Sequence, residues 1–132
     1  MGLILDGIYA ADKWAVTGMC EMLYSELAPF GIQVKTLVPG VVKTNFVMEQ
    51  GPNEGYEDMV KNQVAMLIPE PDGVENAEEA AKDAYTAITD GDKDRMCYVT
   101  GKRAKELYAM RQEMGDEKFR QYVRATLMGK KN

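Results

Sequence analysis

Residues 9–38 constrain the fold more than any other stretch of the chain. From Tyr9 to Pro29 the sequence reads as one helix. Lys13, Thr17, Glu21 and Ser25 form a narrow polar stripe at four-residue spacing, while Trp14, Ala15, Val16, Met19, Cys20, Met22, Leu23 and Leu27 cover most of the remaining surface. Pro29 and Gly31 mark its stop. Ile32–Val38 alternates loosely and is β-branched, the pattern of a strand. A helix that enters a strand through so short a Gly turn is the second half of a βαβ crossover, so the sheet is parallel. So wide an apolar arc predicts a helix buried on more than one side, one side on the sheet and the other on a neighbouring helix or a second subunit.

Two features at the ends of this unit carry chemistry. Tyr9 and Lys13 stand four residues apart, which on a helix places both side chains on one face, one turn above the other. A phenol is a poor proton donor or acceptor at neutral pH, and an ammonium beside it favours the phenolate. Tyr-x-x-x-Lys is therefore the minimal arrangement for general acid–base work, although the spacing alone also describes an ordinary helix start. Pro39-Gly40 ends the strand at its carboxyl edge, where open α/β sheets place their ligands, and Thr44 adds a hydroxyl nearby. Without Tyr9 and Lys13 the same residues would be a plain strand-ending turn.

Taken in order, Tyr9-Ala10-Ala11-Asp12-Lys13-Trp14-Ala15, then Ser25 to Val34, then Leu37-Val38-Pro39-Gly40-Val41-Val42-Lys43-Thr44, closely resemble the second half of a short-chain dehydrogenase/reductase. The resemblance is specific over residues 8–46 and looser to about residue 101. It departs mildly at Asp12, where the family usually has a small residue such as Ser. It implies an α/β fold: the C-terminal part of a Rossmann-like doubly wound parallel sheet, lacking the N-terminal dinucleotide-binding strands. It also implies hydride transfer between NAD or NADP and a small carbonyl or alcohol substrate. Tyr9 would exchange the proton with the substrate oxygen, and Lys13 would lower the Tyr pKa and bond the nicotinamide ribose. Pro39, Gly40, Val42 and Thr44 would sit against the nicotinamide. Family members commonly place the helix at 9–29 in a dimer's helix bundle, which implies a homo-oligomer.

The remaining chain divides, within one partial domain over 1–132, into three parts that follow the helix, strand and turn of 9–44. Residues 45–75 are loop-like, with Gly51, Pro52, Gly55, Pro69, Pro71 and Gly73 around a short helical piece near Tyr56–Leu67. By resemblance this is the substrate lid. Met48, Met59, Val60, Met66, Leu67 and Ile68 then line an apolar pocket or, equally, pin the loop to the domain. In 76–101, Asn76-Ala77-Glu78-Glu79 has the capping-box form. The helix it starts puts Ala80, Ala84 and Ile88 on one face flanked by Tyr85, stops before Gly91, and leads to a strand over Arg95–Thr100. In 102–132 two helices, 103–114 and 117–128, break at Gly115-Asp116. Phe119, Val123 and Leu127 form a stripe on the second, and Lys130-Lys131-Asn132 is expected to fray.

What the residues exclude is also informative. The twelve glycines never occur as Gly-x-Gly, so the phosphate-binding turn of a dinucleotide fold is not in this sequence. The family's catalytic Ser and Asn would lie upstream of Met1, so the chain reads as truncated and not active alone. Such a half-sheet is expected to associate tightly or fold poorly by itself. A net charge of −5 argues against nucleic acid or an anionic membrane surface, and no His or paired Cys motif suggests a metal site. Cys20 and Cys97 read as buried free thiols. The apolar run Gly2–Leu5 stops at Asp6, too short for a signal peptide or membrane span, so a cytoplasmic location is expected. The competing reading is a non-catalytic dimerisation or assembly module derived from the same family. An isomerase or dehydratase on the same Tyr–Lys scaffold is a further possibility.

Overall fold

The computed structural model describes residues 5–45, 54–70 and 74–129. The first element is helix α1 (Gly7–Leu27), followed by a single 3-10 turn, Ala28–Phe30. Gly31 closes it in the left-handed region, φ 72°, where its N–H and that of Ile32 reach back to the carbonyls of Ala28 and Leu27. A residue with a Cβ is strained there, which is why the stop falls at this glycine. Strands β1 (Thr36–Val38) and β2 (Val42–Lys43) come next, then α2 (Glu57–Leu67), β3 (Glu75–Asn76) and α3 (Ala77–Thr89). Strand β4 (Cys97–Val99) and helices α4 (Lys102–Met114) and α5 (Asp116–Leu127) complete the chain.

The strands form two parallel pairs. β1 lies beside β4 with Thr36 opposite Cys97 and Val38 opposite Val99, and β2 lies beside β3 with Val42 opposite Glu75. Parallel strands joined by helical crossovers make this a mixed α/β, partial Rossmann-like fold. Both strands of the first pair are shorter than their β-branched sequence suggests. Residues 32–35 have no ladder partner; instead Lys35 reaches across to the Tyr98 hydroxyl at 2.9 Å and to the Asp92 carbonyl. Ladder-type bonds continue one residue beyond the strands, from Thr36 N–H to Met96 O and from Thr100 N–H to Val38 O.

The expected capping box is present: Glu79 N–H donates to Asn76 Oδ1 at 2.9 Å and Asn76 N–H to Glu79 Oε2 at 3.1 Å. The inward face of α3 differs from the expected one. Ala80 and Ala84 are half-buried, but the buried residue is Ala87, while Ile88 stands 73% exposed. At about 100° per residue, position 87 returns almost over position 80 whereas 88 has turned well past it, and Tyr85 likewise faces out.

Buried apolar side chains include Met66, Tyr98, Leu107, Phe119 and Leu127, so the core lies between α2, β4, α4 and α5. Phe119 and Leu127 are inside with Val123 half-buried between them, the stripe read from the sequence. Asn62 on α2 donates to the Leu127 carbonyl, and Thr100, 1% exposed, donates to Glu75 Oε2 at 2.9 Å.

Helix α1 departs from expectation. No residue on it is buried, rather than two sides being covered. Thr17, Cys20, Leu23, Tyr24 and Leu27 are half-buried along one narrow stripe, while Trp14, Val16, Met19 and Met22 stand in the open. Among the described residues each sheet has two strands, so neither forms a broad face on which a helix could be buried. Cys20 and Cys97 are free thiols, half-buried rather than buried. No described helix is long and apolar enough to cross a membrane. Met48, Gly51, Pro52, Pro71, Gly73 and the tail Lys130-Lys131-Asn132 lie outside the described residues.

Candidate active site

The first turns of α1 present Tyr9 and Lys13 on one face. The Lys13 ammonium lies 5.2 Å from the centroid of the Tyr9 ring. Its nearest carboxylate is Asp12, 3.6 Å away, and both partners are well exposed. That pair is worth little in water. The contact with the ring holds the ammonium beside the phenol, the one-turn relationship that the four-residue spacing requires.

Tyr9 borders a cavity of about 300 Å³ at the carboxyl end of the β1–β4 pair. Val38, Pro39, Gly40 and Val41 form its strand side, so Tyr9 shares one cavity with Pro39 and Gly40. Val42 and Thr44 are not on its wall: Val42 is paired in β2, and Thr44 lies in the exposed bend just after it. Lys13 is also outside the wall, its ammonium over the Tyr9 ring. The turn after β1 is tightly packed. Gly40 N–H donates to the Thr100 carbonyl at 3.1 Å, so the turn lies directly against the start of α4.

The C-terminal helices, expected from the sequence only as a terminal pair, line the same cavity. Ala104, Leu107, Tyr108 and Arg111 of α4 and Phe119 of α5 border it together with Tyr9. Nothing local in the sequence marks them; only the α4 spacing of 104, 107, 108 and 111, an i, i+3, i+4, i+7 face, carries a signal. The Tyr108 hydroxyl is held above its ordinary pKa, chiefly by its electrostatic interaction with Cys97 and then by burial.

Arg103 and Arg111 also border the cavity. Arg103 Nε donates to the Met66 carbonyl at 2.7 Å and another of its nitrogens meets Glu106, which ties the end of α2 to α4. Arg111 Nε donates to Asp116 Oδ1 at 2.7 Å and its guanidinium lies 5.2 Å from the Trp14 ring. The Arg111 bond holds the Asp116 carboxyl below its ordinary range.

Of the expected lid residues, Leu67 lines the cavity. Met66 is buried in the core and Met59 borders a separate hollow against Leu127 and Met128, so these two pin α2 to α5. Val60 and Ile68 are half-buried and line neither space.

Residues 1–55 match the family model of short chain dehydrogenases. Among known proteins, the chain is 28% identical to an uncharacterized oxidoreductase of Schizosaccharomyces pombe over 115 residues, 85% of this chain and 48% of that protein. It is 39% identical over 64 residues to the 3-ketodihydrosphingosine reductase of Bacteroides thetaiotaomicron, 44% of this chain and 24% of that one. It is 51% identical over 51 residues to an oxidoreductase of Passalora fulva, 39% of this chain and 23% of that one. The chain spans about half the length of the first of these relatives and less of the others.

Proposed function

We propose, from a chain whose residues 1–55 belong to the short-chain dehydrogenase/reductase family, that it carries the proton-transfer half of an oxidoreductase site for a carbonyl or alcohol substrate. The observation that carries this reading is that Tyr9, with Lys13 over its ring, opens onto the same cavity as Pro39 and Gly40 at the carboxyl end of a parallel pair. A bound NAD or NADP supplies or takes the hydride. The residues present suit the nicotinamide end of that molecule, because the Pro39–Val41 turn borders the same cavity as Tyr9 at the carboxyl end of β1. Val42 and Thr44, one and three residues beyond that wall, are assigned to the carboxamide side.

The chain's own part is proton handling and exclusion of water. The Tyr9 hydroxyl donates a proton to the substrate oxygen during reduction, and the Tyr9 phenolate oxygen takes it back during oxidation. The Lys13 ammonium steadies the charge left on the phenol oxygen and offers a donor to a ribose hydroxyl. Leu67, Leu107 and Phe119 give the substrate side an apolar lining, which suits an apolar group next to the reacting carbon.

Titration of the purified chain with NADH and NADPH, followed by nicotinamide fluorescence, tests this reading. Saturable binding weakened by Lys13→Ala is the expected result. No binding at millimolar cofactor would remove catalysis by this chain as it stands.

A second reading rests on a different observation: Trp14, Val16, Met19 and Met22 of α1 stand in the open. An assembly role through the helix at 9–29, with a second copy covering that face, accounts for them. Light scattering after size exclusion separates the two outcomes; a compact monomer would sink the assembly role.

A further inference from the structure

We propose that Arg111 is a positioning residue for the turn of α1 that carries Tyr9 and Lys13. Helix α1 has no buried side chain. Among the described residues, two directed side-chain contacts tie it to the distant parts of the chain. Near its C-terminal end the Tyr24 hydroxyl donates to the Asp94 carbonyl at 3.1 Å. In its N-terminal half the tie is Arg111, whose guanidinium lies 5.2 Å from the Trp14 ring. Trp14 follows Lys13 directly, so whatever fixes Trp14 fixes the Tyr9–Lys13 turn as well.

The contact suits an arginine. A guanidinium hydrogen-bonds in its plane and stacks through its face at the same time. Here Asp116 accepts from Nε at 2.7 Å while the guanidinium carbon lies over an indole, the aromatic ring that attracts cations most strongly. Asp116 is the first residue of α5, so the α4–α5 corner, the clamp and the catalytic turn form one connected unit. Arg111 also borders the cavity that Tyr9 borders, so the clamp and the proposed site share one space. Its catalytic meaning rests on the oxidoreductase reading above, while the clamp itself does not.

The test uses the full chain and its single tryptophan. Arg111→Ala is expected to shift Trp14 emission to the red and raise its quenching by acrylamide. Amide hydrogen exchange over residues 10–16 is expected to quicken about two- to fivefold, the rate equivalent of one partly exposed cation–π contact. Exchange in residues 20–27 and in β4 is expected to hold steady. Arg111→Lys keeps the charge but loses the planar fork, and is expected to resemble the Ala variant rather than the wild type. If Arg111→Ala does not fold, Asp116→Asn, which leaves Arg111 and Trp14 in place, is expected to give the same shift at smaller amplitude. Unchanged Trp14 emission and exchange in the variants would overturn the clamp, as would acceleration spread evenly over α1 and β4. Wild-type chain that fails to bind nicotinamide cofactor while Trp14 still responds would overturn the oxidoreductase reading and leave the clamp standing.

Discussion

Gly40 and Ala104 approach so closely that a Cβ on the first would stand 3.1 Å from the Cβ of the second and 3.2 Å from the Thr100 carbonyl oxygen. The strand-ending turn and the start of α4 are thus fitted to each other, and packing requires the glycine of the Pro39-Gly40 turn.

Gly40→Ala is therefore expected to cost about 1–3 kcal/mol, because the Thr100 carbonyl belongs to rigid backbone and cannot swing aside. Urea denaturation measures it. A midpoint equal to the wild type would mean that α4 can retreat from the turn freely.

Tyr9→Phe removes the hydroxyl and keeps the ring that Lys13 approaches. Under the proposed function it leaves cofactor binding nearly intact and lowers turnover by about 10²–10⁴-fold, the usual worth of a positioned acid–base group. Turnover of a model ketone with NADPH, in whatever assembly of the chain proves active, is the measurement. Equal rates for wild type and variant would take the proton-transfer role away from Tyr9.

Lys35, Asp90 and Tyr98 predict how stability depends on pH. The Tyr98 hydroxyl donates to Asp90, and this bond is the main reason the Asp90 carboxyl titrates below its ordinary 3.8. Its contribution is present above that value and is lost as pH falls through the folded-state pKa. Lys35 titrates above its ordinary 10.5, chiefly through the Tyr98 hydroxyl and then the Asp90 charge 3.5 Å away. Its contribution is complete below 10.5 and is lost as pH rises further. The stability gap between wild type and Asp90→Asn should therefore close in acid below pH 3.8. A gap that persists there would show that Asp90 acts through something other than its charge.

Asn76→Ala should weaken α3 by about 1 kcal/mol, since it leaves the Glu79 N–H without its acceptor at a helix start. The denaturation midpoint should fall with the slope unchanged. Glu79→Ala, which removes only the reciprocal bond to the Asn76 N–H, should cost less.

The parts of this fold legible in sequence are those fixed by neighbours in the chain. The Asn76–Glu79 box, the Gly31 stop and the break at Gly115, which takes φ 76°, depend only on residues within a turn or two. The Phe119–Leu127 stripe was legible because it follows helical spacing strictly. Ile88 misled because a large side chain in a four-residue series outweighs small Ala87, although geometry favours 87. The cavity was half legible. Tyr9, Pro39 and Gly40 carry a recognisable order, whereas Tyr108 and Arg111 reach the same space through a tertiary approach of α4 that no local pattern encodes.

The parallel pairing of β1 with β4 also sets the order in which the chain can assemble. Thr36 meets Cys97 only after α2 and α3 have been made and folded back, so every ladder bond of that pair follows the closure of a long loop. The α4–α5 corner, by contrast, closes between adjacent residues and can form early. On a ribosome α1 emerges well before α4, and at about 5–20 residues per second it waits on the order of seconds for Arg111 to appear. Throughout that interval Trp14 lacks Arg111, while Val16, Met19 and Met22 stand in the open as they do in the folded chain, which makes the nascent α1 a natural client for a chaperone that captures short apolar helices.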